Sequence, residues 1–237
     1  MSKVTAVIGN KGGTGKTTIS HMVCHGLGLL NKFSVSLLTD IHRDKVSKSG
    51  RNYLPFDART EEGLDAAIKK LRLASDTWFG VIDGGGNRPE MDQKLAEVSD
   101  LVLLPFRDSH EDIRTVIRDL ERFPNSFALP SQWPTNPWEL KAANQMVTEL
   151  MKPYHDRVME PVFRISAAKV LLQEEVPTHL PAQLNTACRQ LALQIMMMLD
   201  MGLDNSNWKP LEVKLTPPNK QAALGKTVVP LKKTATK

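Results

Sequence analysis

The stretch Gly9-Asn10-Lys11-Gly12-Gly13-Thr14-Gly15-Lys16-Thr17-Thr18 concentrates glycines, lysines and hydroxyl side chains in one short segment. Glycines let successive backbone N–H groups point into one concavity, a lysine adds a point charge, and a threonine hydroxyl can ligate a hard cation. Those are the groups that hold a nucleoside triphosphate with its magnesium ion. In this order Lys16 is placed to reach the β- and γ-phosphates, and Thr17 to offer its hydroxyl to Mg2+. A glycine turn that only caps a helix would explain Gly12, Gly13 and Gly15, but not the Gly-Lys-Thr-Thr order. The expected cradle is therefore Gly12, Gly13, Thr14, Gly15, Lys16, Thr17 and Thr18, with metal contact at Thr17. Where the general motif has glycine, five positions before Gly15, this chain has Asn10. Asparagine tolerates positive φ, so the turn is expected to survive there.

Such a loop works only between a strand and a helix, and both are legible. Val4 to Ile8 is a short apolar run, and Ile19, Met22, Val23 and Leu27 recur at helical spacing within Thr17 to Leu30. The same alternation continues. Phe33 to Leu38, Trp78 to Ile82 and Leu101 to Phe106 read as strands, and Glu61 to Leu73 as a helix. Ser109 with Asp112 forms a capping box that opens a helix through Phe123. Asn136 with Pro137 opens another, and Pro181 to Leu203 reads as a long helix. Phe127 to Leu129 and Val158 to Phe163 are weaker strands. Nearly continuous apolar strands alternating with helices imply an α/β fold: a doubly wound, mostly parallel sheet with helices on both faces. With the Gly-Lys-Thr-Thr loop between its first strand and first helix, the arrangement expected is the P-loop NTPase fold. The run Met196-Met197-Met198 reads as plastic core packing.

After Asp204 prolines multiply and apolar periodicity stops, so 1–204 is expected to be the folded domain and 205–237 a basic, disordered tail. The tail holds seven lysines against one glutamate, and the whole chain of 237 residues carries a net charge of +5. That excess permits contact with an anionic polymer. No run of about 18 apolar residues occurs, and neither a secretory leader nor a clean amphipathic anchor is legible. A cytoplasmic chain is the expectation, with no transmembrane segment and no membrane binding. Cys24 and Cys188 have no cysteine or histidine neighbour at metal-ligand spacing.

The segment Lys11-Gly12-Gly13-Thr14-Gly15-Lys16-Thr17-Thr18 resembles the deviant Walker A box of the ParA/MinD-type ATPases, and in character the ParA-type partition ATPases most. In that family the first lysine reaches across a nucleotide-sandwich homodimer to the partner's phosphates, the part the resemblance gives to Lys11. Leu37-Leu38-Thr39-Asp40 ends a strand where the family has its Asp-x-Asp-Pro box. Asp40 matches the second aspartate, which positions the attacking water, whereas Leu38, Ile41 and His42 depart from the box. Phe79-Gly80-Val81-Ile82-Asp83 resembles the Walker B strand, with Asp83 at the magnesium position. Gly84-Gly85-Gly86-Asn87 follows where relatives place prolines, so the second switch is expected to be more mobile.

The resemblance implies a slow, Mg2+-dependent ATPase that works as a dimeric switch for DNA partition or cargo positioning. Its ATP-bound homodimer would bind DNA nonspecifically over the nucleoid, and an adaptor or centromere-binding protein would stimulate hydrolysis. ATP is favoured over GTP because no Asn/Thr-Lys-x-Asp base-reading motif follows. The DNA contacts would lie in the tail, or else at Arg157, Arg164, Lys169 and Arg189 on the folded domain. A metabolic or electron-transfer enzyme on the same fold, or a regulatory nucleotide-binding module, is the alternative.

Overall fold

Val4, Ala6, Val7 and Ile8 have no solvent exposure, a pattern that only a strand covered on both faces permits. This strand, β1 (Lys3–Val7), is central to a six-stranded sheet in a computed structural model that describes residues 2–41, 46–86 and 88–201. The expected tail over 205–237 lies outside the described residues. The other strands are β2 (Phe33–Leu38), β3 (Leu54–Asp57), β4 (Trp78–Asp83), β5 (Leu101–Phe106) and β6 (Ser126–Pro130). They lie in the order β3-β2-β4-β1-β5-β6, and every pair is parallel.

Among the described residues six α-helices connect and cover them: α1 (Lys16–Leu29), α2 (Glu61–Leu73), α3 (Pro89–Val98), α4 (His110–Arg122), α5 (Pro137–Leu150) and α6 (Ala182–Met198). Alternation along β1 divides the core. Val4, Ala6 and Ile8 pack with Leu64, Leu95, Ile113 and Ala143 of α2 to α5 on one face. Val7 packs with α1 and α6 on the other, where Cys24 and Cys188 are buried and their thiol pKa values are pushed up by desolvation. The helix starts follow their caps: Thr60 accepts from Gly63 N at 3.1 Å, Ser109 from Asp112 N at 3.1 Å and Asn136 from Trp138 N at 2.9 Å.

Several elements differ from expectation. Val158 to Phe163 is not a strand; it makes only isolated parallel bridges, Ala128 to Val158 and Trp133 to Phe163, because Pro161 has no N–H to continue a ladder. α6 stops at Met198, and Asp200 takes φ 49°, so the helix is shorter than the expected span to Leu203. Within the methionine run Met196 is core and Met197 is 65% exposed. β3 and α3 have no counterpart among the elements that the sequence pattern predicts. β3 is an edge strand that tolerates Pro55, and its exposed Leu54 and Phe56 carry no burial signal.

α1 and α6 cross at Gly26, where an added Cβ would stand 2.0 Å from the Cys188 carbonyl oxygen and 2.9 Å from Ala192 Cβ. Gly26→Ala is therefore expected to lower unfolding stability by about 1–3 kcal/mol through overpacking. Gly12→Ala, where a Cβ meets nothing within 4 Å, should stay within about 0.5 kcal/mol of the parent. Urea unfolding followed by circular dichroism measures both.

Candidate functional site

Parallel pairing aligns the strand exits. Val7 is level with Asp83, and Asp83 with Leu38, so β1, β4 and β2 end together on one edge. From β1 the chain turns through Gly9 (φ 139°), Gly13 (φ 77°) and Gly15 (φ 91°) before α1 begins at Lys16. The expected left-handed turn thus falls on Gly9; Asn10 is not among the residues with positive φ. Asn10 instead donates from Nδ2 to Asp119 Oδ1 at 2.7 Å, tying the loop to α4. Gly15 caps α1 without a side-chain hydrogen bond, and no acidic residue lies in the first turn. The first N–H groups and the positive end of the helix dipole are thereby left for an anion.

Thr14, Lys16 and Thr17 are buried within this loop. Lys16 Nζ donates to the Lys11 carbonyl at 2.7 Å, so its ammonium lies across the loop it would serve. The segment after β6 braces the other side: Ser131 Oγ donates to the Thr14 carbonyl at 2.6 Å, and Gln132 Nε2 to the Gly13 carbonyl at 3.0 Å. Gln132 adopts φ 52° to do so. Beside Gly15 and Thr18 opens a cleft of about 580 Å³ with Ile19, Met22 and Val162 on its apolar side and Lys169 on its polar side. It is wide enough for a flat heterocycle.

Asp83 closes β4 with 1% exposure, and its carbonyl accepts from Thr39 Oγ1 at 2.7 Å. Next to it Gly84 has no room for a side chain, because a Cβ would stand 2.5 Å from Ile8 Cγ2. Asp40 lies just past the end of β2, half-buried. The edge therefore gathers Lys16, Thr17, Asp83 and Asp40. The expected first switch includes 42–45 and the expected second includes Asn87, which lie outside the described residues. Thr17 and Asp83 offer one hydroxyl and one carboxylate, a hard-oxygen set that fits Mg2+ completed by phosphate and water. Lys11 lies elsewhere: its ammonium pairs with Glu111 and stands 4.0 Å from Asp112 Oδ1, both on α4 of the same chain.

Buried acids beneath the loop are not legible in the sequence. Asp92 on α3 is 1% exposed, and burial pushes its carboxyl up to about 6, against the pull of Lys16 and Arg88. Burial also raises Asp119, offset in part by its hydrogen bonds from Asn10. For Asp112 burial acts upward as well, but the hydrogen bonds from Ser109 and Arg107 outweigh it and hold the carboxyl low. Sequence patterns alone give no sign of Asp92, which occupies a core-facing helix position normally apolar.

No protein-family model matches the sequence, and no curated protein matches it. Solved structures do match the fold. The chain is similar to the MinD cell division protein of Aquifex aeolicus, with TM-score 0.65 and 14% identity over 83% of this chain and 97% of that one. A Borrelia burgdorferi B31 protein described as a plasmid partition protein, bound to AMPPNP, matches with TM-score 0.57 and 14% identity over 83% and 99%. Cobyrinic acid a,c-diamide synthase of Mycobacterium smegmatis, with an ATP analog and magnesium, matches with TM-score 0.56 and 15% identity over 84% and 96%.

A carboxyl raised on folding binds protons more tightly in the native state, so its contribution to stability is full below pH about 4 and is lost as pH rises through about 6. Asp92→Asn removes that loss. The variant is expected to gain stability over the parent progressively across this window and to hold the gain at neutral pH, as measured by urea titrations at several pH values.

Proposed function

We propose that this chain, which has the fold of the ParA/MinD ATPases, also shares their activity: a dimeric, Mg2+-dependent ATP switch that positions DNA or another large cargo. The observation that carries this reading is the loop ahead of α1, with positive φ at Gly9, Gly13 and Gly15, an uncapped helix end and a buried Lys16. Backbone amides of residues 12–18 would hold the β- and γ-phosphates, with Lys16 supplying the point charge. Thr17 and Asp83 would hold the magnesium ion, which when bound neutralises phosphate charge. Asp40, at the strand exit beside Asp83, would orient the attacking water. The apolar cleft beside Thr18 would take the base.

Homodimer formation would draw Lys11 from Glu111 to the partner's nucleotide. Glu111 is 78% exposed, and a surface pair of this kind contributes about 0–1 kcal/mol, so the transfer costs little. For DNA, Arg164, Lys169 and Arg189 are exposed. Arg157 drops out of that set, since its guanidinium is bound to the carbonyls of Phe123 and Ser126. No helix among the described residues is long and apolar enough to cross a membrane. The likeness to the diamide synthase supports a second reading, a metabolic amide-forming enzyme whose turnover answers to its acid substrate rather than to DNA.

Lys16→Ala is expected to abolish ATP binding in equilibrium dialysis, whereas Lys11→Ala should bind ATP as the parent does but fail to dimerise or hydrolyse it. Dialysis paired with sedimentation in ATP checks both halves of the contrast, and unchanged ATP affinity in Lys16→Ala sinks the assignment.

DNA binding is expected to require ATP, to ignore sequence and to weaken with salt. Two copies of a basic surface in one dimer raise a weak contact by about 10²–10⁴. Log affinity should then fall with log salt at about 0.9 per phosphate contacted. Anisotropy titrations of unrelated duplexes with ADP and with a non-hydrolysable ATP analogue test this; absence of binding in both states leaves the metabolic reading standing.

A further inference from the structure

Arg88 has no part in the roles assigned so far, yet its side chain sits where both switch loops begin. It directly precedes α3. Its Nη2 donates to Thr39 Oγ1 at 2.9 Å and to the Gly84 carbonyl at 2.9 Å. Thr39 follows β2 and Gly84 follows β4, so one nitrogen joins the two strand exits.

The backbone is shaped around that guanidinium. Gly85 takes φ 65°, and a Cβ there would lie 2.8 Å from Arg88 Nη2 and 3.5 Å from Asp40 Cβ. Arg88 and Asp40 thus flank a single point. One residue on, the Cβ position of Gly86 is 4.0 Å from Lys16 Nζ, so the ammonium of the phosphate loop borders the same short segment.

Two bonds from Nη2 would be enough for a strut. A guanidinium has further N–H donors on Nε and Nη1, and a fixed positive charge. Among the described residues those two nitrogens make no hydrogen bond, and no carboxylate forms an ion pair with Arg88. A planar fork with spare donors, beside Lys16 and Asp40, matches a phosphoryl group.

We propose that Arg88 reads the terminal phosphate of the bound nucleotide, as a guanidinium supplied from within the same chain. The proposal rests on the ATPase reading and adds a residue to it. In the reaction the water oxygen forms a bond to the γ-phosphorus as the bond from that phosphorus to the bridging oxygen breaks. ADP leaves with the electron pair, and the proton of the water ends on the released phosphate. Arg88 transfers no proton. It donates hydrogen bonds to oxygens whose charge grows, while Nη2 keeps Thr39 and Gly84 together so that Asp40 and the second switch respond to the same phosphate.

The test measures binding of ADP and of a non-hydrolysable ATP analogue by calorimetry, and single-turnover hydrolysis, for the unaltered chain, Arg88→Ala and Arg88→Lys. ADP affinity should agree within about twofold across all three, which also certifies folding. Analogue affinity of Arg88→Ala should fall about 10- to 100-fold, the range for losing charge-assisted hydrogen bonds. Hydrolysis should fall about 10³-fold or more, as when a catalytic arginine is removed. Arg88→Lys should recover part of the analogue binding and little of the turnover, because an ammonium cannot hold Thr39, Gly84 and phosphate as a fork does. Equal loss of ADP and analogue in both variants, or no loss of either, would show a strut and overturn the proposal alone. Failure of the unaltered chain to bind any nucleotide overturns the phosphate-loop assignment itself.

Discussion

Parallel hydrogen bonding between β1 and its two neighbours, β4 and β5, sets what the remainder of the molecule can do. A parallel pair cannot be joined by a tight turn, so each strand must hand over to a crossover, and all exits lie on one edge. Here that edge receives the glycine loop from β1, Thr39 and Asp40 from β2, Asp83 and Gly84 from β4, and Ser131 with Gln132 from β6. None of these groups is sequentially close to the others. Register, more than any local contact, brings Val7, Leu38 and Asp83 level and so puts the buried carboxylate beside the glycine loop.

The same edge sorts charge by depth. Lys11 and Arg107 stand at the outer rim with the exposed Glu111, both beside the buried Asp112, and the Arg107 guanidinium comes 3.9 Å from where a Gly13 Cβ would be. Beneath the loop, burial raises the carboxyls of Asp92 and Asp119, and Lys16 pulls both back down.

Features that local order alone decides are legible in the sequence. The glycine loop needs only its own residues, so Gly12 to Thr18 can be placed from their order, and Asp83 follows because an apolar run ends on it. Positions decided by a distant partner stay hidden. Gly9 rather than Asn10 makes the turn because Asn10 is needed for Asp119, 109 residues away. Arg88 gains its place from Thr39, and Ser131 and Gln132 from carbonyls more than a hundred residues earlier in the chain. α3 escapes a periodicity argument because Asp92 fills a helix position where an apolar side chain is expected, and β3 because a solvent-facing edge strand has no apolar alternation to find.

The close crossing of α1 and α6 at Gly26 has a bearing on synthesis. α1, Lys16–Leu29, follows the glycine loop, while the helix that covers it, α6, runs from Ala182 to Met198. A chain emerging from the ribosome would have the entire Gly-Lys-Thr segment exposed long before Leu184, Cys188, Leu191 and Ile195 arrive to bury Ile19, Met22, Val23 and Leu27. At about 5–20 residues per second that interval lasts roughly ten seconds or more. Completion of the core on that face of the sheet is consequently a late event in the life of each molecule.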